Sequence, residues 1–298
     1  MDPTPMLLTL PFRAPLHPGN LFGHLVATAV PGVEEWRDGA YRATLRLPHG
    51  AGVVALAPGP AAIACTLELA DPHDADAAVA RCRWLLDLDT DPAEVDAHLA
   101  GDPLLAPLVA AVPGRRVPRV PDPAGFAVRA VLGQQVSTAA ARTHAARLVA
   151  AHGDPLPPGL ASGGLTHLFP RAEVLAAIDP ATLALPRARQ HTVVRMAAAL
   201  ADGLDLGPDA DPAAARARLE GMPGVGPWTV ETIAMRALAD PDAFLPTDLG
   251  VRQAAVRLGL PPAPGALTRR AQAWRPWRAY AVQHLWATGV HPVNQLPG

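Results

Sequence analysis

No lysine occurs anywhere in the 298 residues, so all 25 basic side chains are arginine. Apart from the α-amine of Met1, no amine is on hand to form a Schiff base, and covalent amine chemistry on a side chain is excluded. Cysteine is nearly absent too. Cys65 and Cys82 cannot build a four-cysteine zinc or iron–sulfur centre, and two such residues seventeen positions apart read as buried thiols rather than a bridge. The eleven histidines form no His-Glu-x-x-His or similar cluster, so no catalytic metal is expected. No run of about eighteen apolar residues exists, and the opening MDPTPMLLTLPFRAP has neither a basic n-region nor a small-residue cleavage site. Neither a membrane span nor a signal peptide is indicated, and a cytoplasmic location is expected.

Half of the residues are apolar, enough for a substantial core in two domains or one elaborate one. The net charge of −2 hides a polarity along the chain. Residues 1–110 hold 6 arginines against 14 acids, a balance of −8, whereas residues 111–298 hold 19 against 13, a balance of +6. Only the C-terminal part is suited to face phosphate.

The first hundred residues read as mixed α and β. Leu7–Phe12, Tyr41–Leu47, Val53–Ala57 and Ile63–Leu69 alternate as strands between Gly/Pro turns, and Leu21–Val30 and a stretch from Asp71 to about Leu88 have helical spacing. After Asp91 the strand signals stop. Amphipathic helices follow: Pro92–Leu99, Pro103–Val109, Pro123–Val136, Thr138–His152, Arg171–Ala176, Arg187–Ala201, Pro212–Leu219, Trp228–Ala239, Gly250–Leu258, Leu267–Trp274 and Trp277–Thr288. The proline-rich stretches Val112–Pro123 and Gly153–Gly164 read as linkers. The expected fold is mainly α: an N-terminal α+β domain (1–98) with a small antiparallel sheet, then an all-α region (99–298) whose lobes are 123–240 and 99–122 plus 241–298.

One window carries the functional signal, LEGMPGVGPWTVETIAMRALADPDAFLPTDLGVRQA from Leu219 to Ala254. Pro223–Gly224–Val225–Gly226 can turn very tightly between two helical patterns because glycine tolerates angles a Cβ forbids. The exposed amides then sit beside a helix N-terminus with the Thr229 hydroxyl in its first turn, which suits a phosphate oxygen. A dinucleotide fingerprint does not fit, because the spacing is Gly-x-Gly-x-x-Thr, no strand precedes it and Pro227 opens the helix. A phosphate loop of the Gly-Lys-Ser/Thr type does not fit either. Taken alone, the hairpin is equally well an ordinary helix-ending glycine, and Asp248, twenty-odd residues later, is a capping residue.

Taken together, LEGMPGVGPWTVETIAMRAL and FLPTDLGVRQA resemble the helix-hairpin-helix DNA glycosylases. GFAVRAVLGQQVSTAAA (Gly125–Ala141) and AQAWRPWRAYAVQHLW (Ala271–Trp286) are similar to the alkylpurine branch of that family, the bacterial 3-methyladenine glycosylase II type. The likeness is strong from about Pro121 to Trp286 and looser over the N-terminal sheet. It implies a monomeric repair enzyme acting in the cytoplasm, at the nucleoid when bound, on double-stranded DNA containing alkylated bases.

The resemblance also implies roles. Gly224, Val225, Gly226 and Thr229 would hold the DNA backbone, and Asp248 would stabilise the positive charge that develops on the sugar as the base departs. Bifunctional members carry a lysine just after the hairpin, where this chain has Trp228, so base release without strand cleavage is implied. Trp228 and Trp286 match positions lining the base pocket, whereas Trp274 and Trp277 read as packing between helices. Gln134 would stand at the pocket and Gln135 would fill the gap left by a flipped nucleotide, where the resemblance leads one to expect leucine. His24 and Thr232 also fall at the pocket, in place of a phenylalanine and a tyrosine; Thr28 and Ala287 replace an arginine and another tyrosine. Smaller walls imply room for adducts bulkier than methylated purines. No cofactor is required, although the family's hairpin commonly holds a structural Na+ or K+ on main-chain carbonyls, here those of Glu220, Met222 and Val225. Two alternatives remain open: a damage-binding protein without turnover, and an oxoguanine-type glycosylase, which the missing lysine disfavours.

Overall fold

Alternating aliphatic residues build five strands, β1 (Met6–Pro11), β2 (Glu34–Arg37), β3 (Ala40–Arg46), β4 (Ala51–Pro58) and β5 (Ala62–Leu69). They pair antiparallel in the order β1-β5-β4-β3-β2. The computed structural model describes residues 4–297, so the α-amine of Met1 lies outside the described residues. The register aligns Tyr41, Leu56 and Cys65 on one face. Helices α1 (Pro18–Thr28) and α2 (Ala75–Leu85) cover that face with Leu21, Phe22, Leu25 and Cys82. Both cysteines are free and buried in this core. The strand β2 escapes the sequence reading because two of its four residues are acidic. Glu34 is fixed by interactions that periodicity does not show, accepting from the Val30 amide at 2.8 Å and pairing with Arg129 at 3.0 Å.

The opposite face of the sheet corrects the sequence reading. Ala51 and Val53 pack there against Leu156 and Leu160, which lie within the expected linker Gly153–Gly164, and against Leu165 and Leu168 just beyond it. Arg42 donates to the Ser162 hydroxyl at 2.6 Å and the Gly164 amide to Glu35 at 2.8 Å. Two short strands, β6 (Asp154–Pro155) and β7 (His167–Leu168), pair here, so strand structure does continue beyond Asp91.

The remaining chain is helical: α3 (Pro92–Ala100), α4 (Ala106–Ala111), α5 (Pro123–Leu132), α6 (Thr138–His152), α7 (Ala172–Ala176), α8 (Arg187–Ala201), α9 (Pro212–Glu220), α10 (Pro227–Arg236), α11 (Leu249–Arg257), α12 (Pro264–Arg270) and α13 (Arg278–Trp286). Proline opens several of these, where its missing N–H is not needed, and Asp122, Ser137 and Asp211 cap α5, α6 and α9. Helix α5 stops at Leu132 rather than Val136, because Gly133 ends it and Gln135 takes a left-handed conformation (φ 55°). No helix among the described residues is long and apolar enough to cross a membrane.

The other expected linker, Val112–Pro123, is a buried wedge. Arg116 is fully covered, donating to the Arg13 carbonyl at 2.5 Å and to that of Thr90, while Asn20 donates to the Arg116 carbonyl at 2.7 Å. Tyr280 on α13 and Arg119 both bond Asp87 at 2.7 Å, joining the last helix to the end of the sheet domain. Trp274 is buried with its indole on Asp102 at 2.9 Å, and Trp277 stands edge-on to Tyr280.

Candidate active site

The hairpin between α9 and α10 is shaped by one close approach. Gly224 has φ 90°, and a Cβ there would lie 2.1 Å from the Thr192 hydroxyl on α8. Val225 turns its side chain into the helical core and commits its amide to the Met222 carbonyl at 3.0 Å. The amides of Gly224 and Gly226, by contrast, meet no acceptor among the described residues, and a Cβ on Gly226 would meet nothing within 4 Å. The expectation for Val225 is therefore corrected: it anchors the turn, and the two flanking glycines present the donors. Thr229 is corrected likewise. It is 2 % exposed, and its hydroxyl accepts from the Gln134 side chain at 3.0 Å instead of facing outward. Gln134 also donates to the Gly224 carbonyl at 2.9 Å, so its amide braces the hairpin rather than a base pocket. Gln135, one residue on, is exposed. Arg195 on α8 donates to the Pro223 carbonyl at 2.7 Å, placing a cation at the rim.

Of the three carbonyls expected to ligate a monovalent ion, that of Met222 already takes the Val225 amide, whereas those of Glu220 and Val225 meet no donor among the described residues. Two free carbonyls on one turn are a donor set that suits Na+ or K+. No cluster of three or more His, Cys, Asp or Glu positioned to hold a metal occurs among the described residues.

Asp248 is the N-cap of α11, accepting from the Val251 amide at 3.0 Å. Two indoles converge on the same carboxylate. Trp286, near the end of α13, donates to Oδ1 at 2.8 Å, and Trp228, in the first turn of α10, donates to Oδ2 at 3.0 Å. Three N–H donors thus meet one carboxylate at the N-terminus of α11. Trp286 reaches it because residue 250 is glycine; a Cβ there would stand 2.8 Å from the indole Cδ1 and 3.1 Å from Asp248 Oδ1. Behind Trp286 lies Arg236, its Cζ 5.4 Å from the ring centroid.

His24 on α1 is half-buried, and burial, then the charges of Arg236, Arg129 and His291, hold its imidazole well below the usual histidine range. It is neutral at neutral pH. Thr232, one turn after Trp228, has a buried hydroxyl without a partner. Thr28 caps back onto the His24 carbonyl at 2.8 Å. A cavity of about 380 Å³ lies between α6 and Thr182–Leu185, and a smaller one between the sheet and α5; neither is lined by Asp248 or either of its tryptophans. Sequence reasoning missed Thr192, Gly250 and Arg236. The last was legible as a lone arginine within the apolar stripe Val230, Ile233, Ala234 and Ala237; the glycines' neighbours were not.

Comparison with known proteins agrees with this architecture. The family described as the AlkA N-terminal domain matches residues 7–122. The probable bifunctional transcriptional activator/DNA repair enzyme AlkA of Mycobacterium tuberculosis is 57 % identical over 97 % of this chain, which spans 58 % of that protein's length. DNA-3-methyladenine glycosylase 2 of Escherichia coli is 33 % identical, covering 95 % of this chain and 97 % of its own. The 3-methyladenine DNA glycosylase of Archaeoglobus fulgidus superposes with a TM-score of 0.79 at 22 % identity, covering 95 % and 97 % of the two chains. An N-terminal sheet domain followed by helices around a glycine hairpin is thus the helix-hairpin-helix glycosylase fold. Within that class, the chain belongs to the AlkA family, that of DNA-3-methyladenine glycosylase 2.

Proposed function

We propose that this protein is a monofunctional DNA glycosylase of base excision repair, releasing alkylated purines from duplex DNA. The observation that carries the reading is the Asp248 carboxylate clasped by two indole N–H groups within the reach of a hairpin with free amides. The Gly224 and Gly226 amides would hold a phosphate without regard to sequence. The damaged nucleotide is flipped out of the stack, at a cost of a few kcal/mol, and rests against the tryptophans. As the bond between the anomeric carbon and the base nitrogen breaks, its electron pair leaves with the base and the sugar becomes oxocarbenium-like. Asp248 offsets that charge and orients a water. Water then forms the new C–O bond and gives up a proton, leaving free base and an abasic site. A Na+ or K+ on the carbonyls of Glu220, Met222 and Val225 would stiffen the hairpin. A monomer acting in the cytoplasm, at the nucleoid when bound to DNA, suffices for this chemistry.

Incubation with methylated duplex DNA is expected to liberate 3-methyladenine and 7-methylguanine. Borohydride added during turnover should trap no side-chain-linked adduct, since the chain contains no lysine. Free base absent from the supernatant, with DNA still bound, would favour a damage-binding protein instead. A second expectation concerns substrate breadth. The family resemblance leads one to expect larger side chains at His24, Thr28, Thr232 and Ala287, so duplexes containing ethenoadenine should also be processed. Excision limited to methylated bases would refute the wider pocket.

A further inference from the structure

Arg236 is 2 % exposed, yet among the described residues it forms no salt bridge. One Nη donates to the Pro118 carbonyl at 2.5 Å, and the other has no partner. Burying a guanidinium in this way is strongly unfavourable unless a nearby negative charge offsets it. Burial pulls the Arg236 guanidinium down to about 9, and the charge that opposes this shift is that of Asp248. The two ions are separated by the Trp286 indole, which meets the guanidinium at its face and the carboxylate at its N–H. Arg236 lies over one face of the ring, so a flipped base would have to meet the other.

We propose that Arg236 determines the charge preference of the base pocket: it cancels the field of Asp248 there, so that neutral purine adducts are accepted alongside cationic ones. The proposal rests on the glycosylase reading above. A purine stacked on the face of Trp286 opposite Arg236 would lie on the order of 10 Å from the guanidinium, close enough for an unscreened charge to matter. Without Arg236 the carboxylate acts unopposed and draws in a base bearing a formal positive charge, whereas a neutral base, which takes on negative charge as the electron pair leaves with it, gains nothing. The oxocarbenium character of the sugar is common to both substrates and drops out of their ratio.

The test compares kcat/KM for 7-methylguanine, which is cationic in duplex DNA, with that for ethenoadenine, which is neutral, in otherwise identical duplexes. In Arg236→Met and Arg236→Gln the ratio of cationic to neutral excision should rise about tenfold, and in Arg236→Lys it should stay within about twofold of wild type. Both rates come from one preparation, so partial unfolding cancels. An unchanged ratio in the neutral variants, or an equal rise in Arg236→Lys, overturns the proposal and leaves the glycosylase reading standing. A wild-type protein that releases neither base overturns that reading and the proposal with it.

Discussion

Asp248→Asn is expected to slow base release on the order of 10³-fold while leaving affinity for duplex DNA within about threefold of wild type. Asparagine caps a helix about as well as aspartate, so its oxygen keeps the bonds from Val251 and Trp286 now made by Oδ1. The NH2 group then faces the Trp228 indole N–H, donor against donor, in place of the 3.0 Å bond to Oδ2. That mismatch costs roughly 1–3 kcal/mol of stability, which a thermal scan will register, but it does not unfold a protein of this size. The larger loss is chemical, because a neutral amide offsets none of the charge developing on the sugar. Single-turnover excision and fluorescence anisotropy on the same preparation separate the two effects. Turnover within tenfold of wild type would remove Asp248 from the mechanism.

The sequence was most readable where one signal dominated. Helices α6 and α8 begin and end where periodicity puts them, Thr138–His152 and Arg187–Ala201, because the first is bounded by Ser137 and Gly153 and the second by Pro186 at its start. Elsewhere two signals competed. Proline-rich stretches read as linkers, but a segment with few backbone donors is also suited to lie buried, provided side chains satisfy its carbonyls. Arg81 does this at Pro121, Arg236 at Pro118 and Asn20 at Arg116. In Gly153–Gly164 the apolar residues Leu156 and Leu160 were too sparse to make a periodic pattern, yet they cover the outer face of the sheet.

The site divides along the same line. The presence of Asp248, Trp228 and Trp286 was legible because their types carry chemistry at recognisable positions. Their arrangement was not, since hydrogen bonds between residues 20 and 38 positions apart leave no trace in spacing. Thr229 and Gln134 show the converse. A hydroxyl in the first turn of a helix suggested an outward donor, but the turn buries it, and the glutamine reaches across from the end of α5 to hold it. Residue type announced polarity, and only packing decided where it pointed.

That packing makes Gly224→Ala the most damaging change expected outside Asp248. At φ 90° a side chain costs about 1–2 kcal/mol in backbone strain, and the new methyl would meet the Thr192 hydroxyl at 2.1 Å. Thr192 is not free to swing aside, because its hydroxyl donates to the Ala188 carbonyl at 3.0 Å within α8. The hairpin must therefore lift from α8, carrying away the Gly224 carbonyl that Gln134 holds and displacing both free amides. Stability should fall by about 2–4 kcal/mol and affinity for undamaged duplex DNA by about tenfold or more. Combining it with Thr192→Ala removes the hydroxyl from the collision and should recover part of both. Gly226→Ala separates folding from binding: its backbone is extended and a methyl there meets nothing, so the variant should melt like wild type and lose affinity only through crowding of the DNA backbone. Should both single variants fold and bind duplex DNA as wild type does, the hairpin is not the surface that holds it.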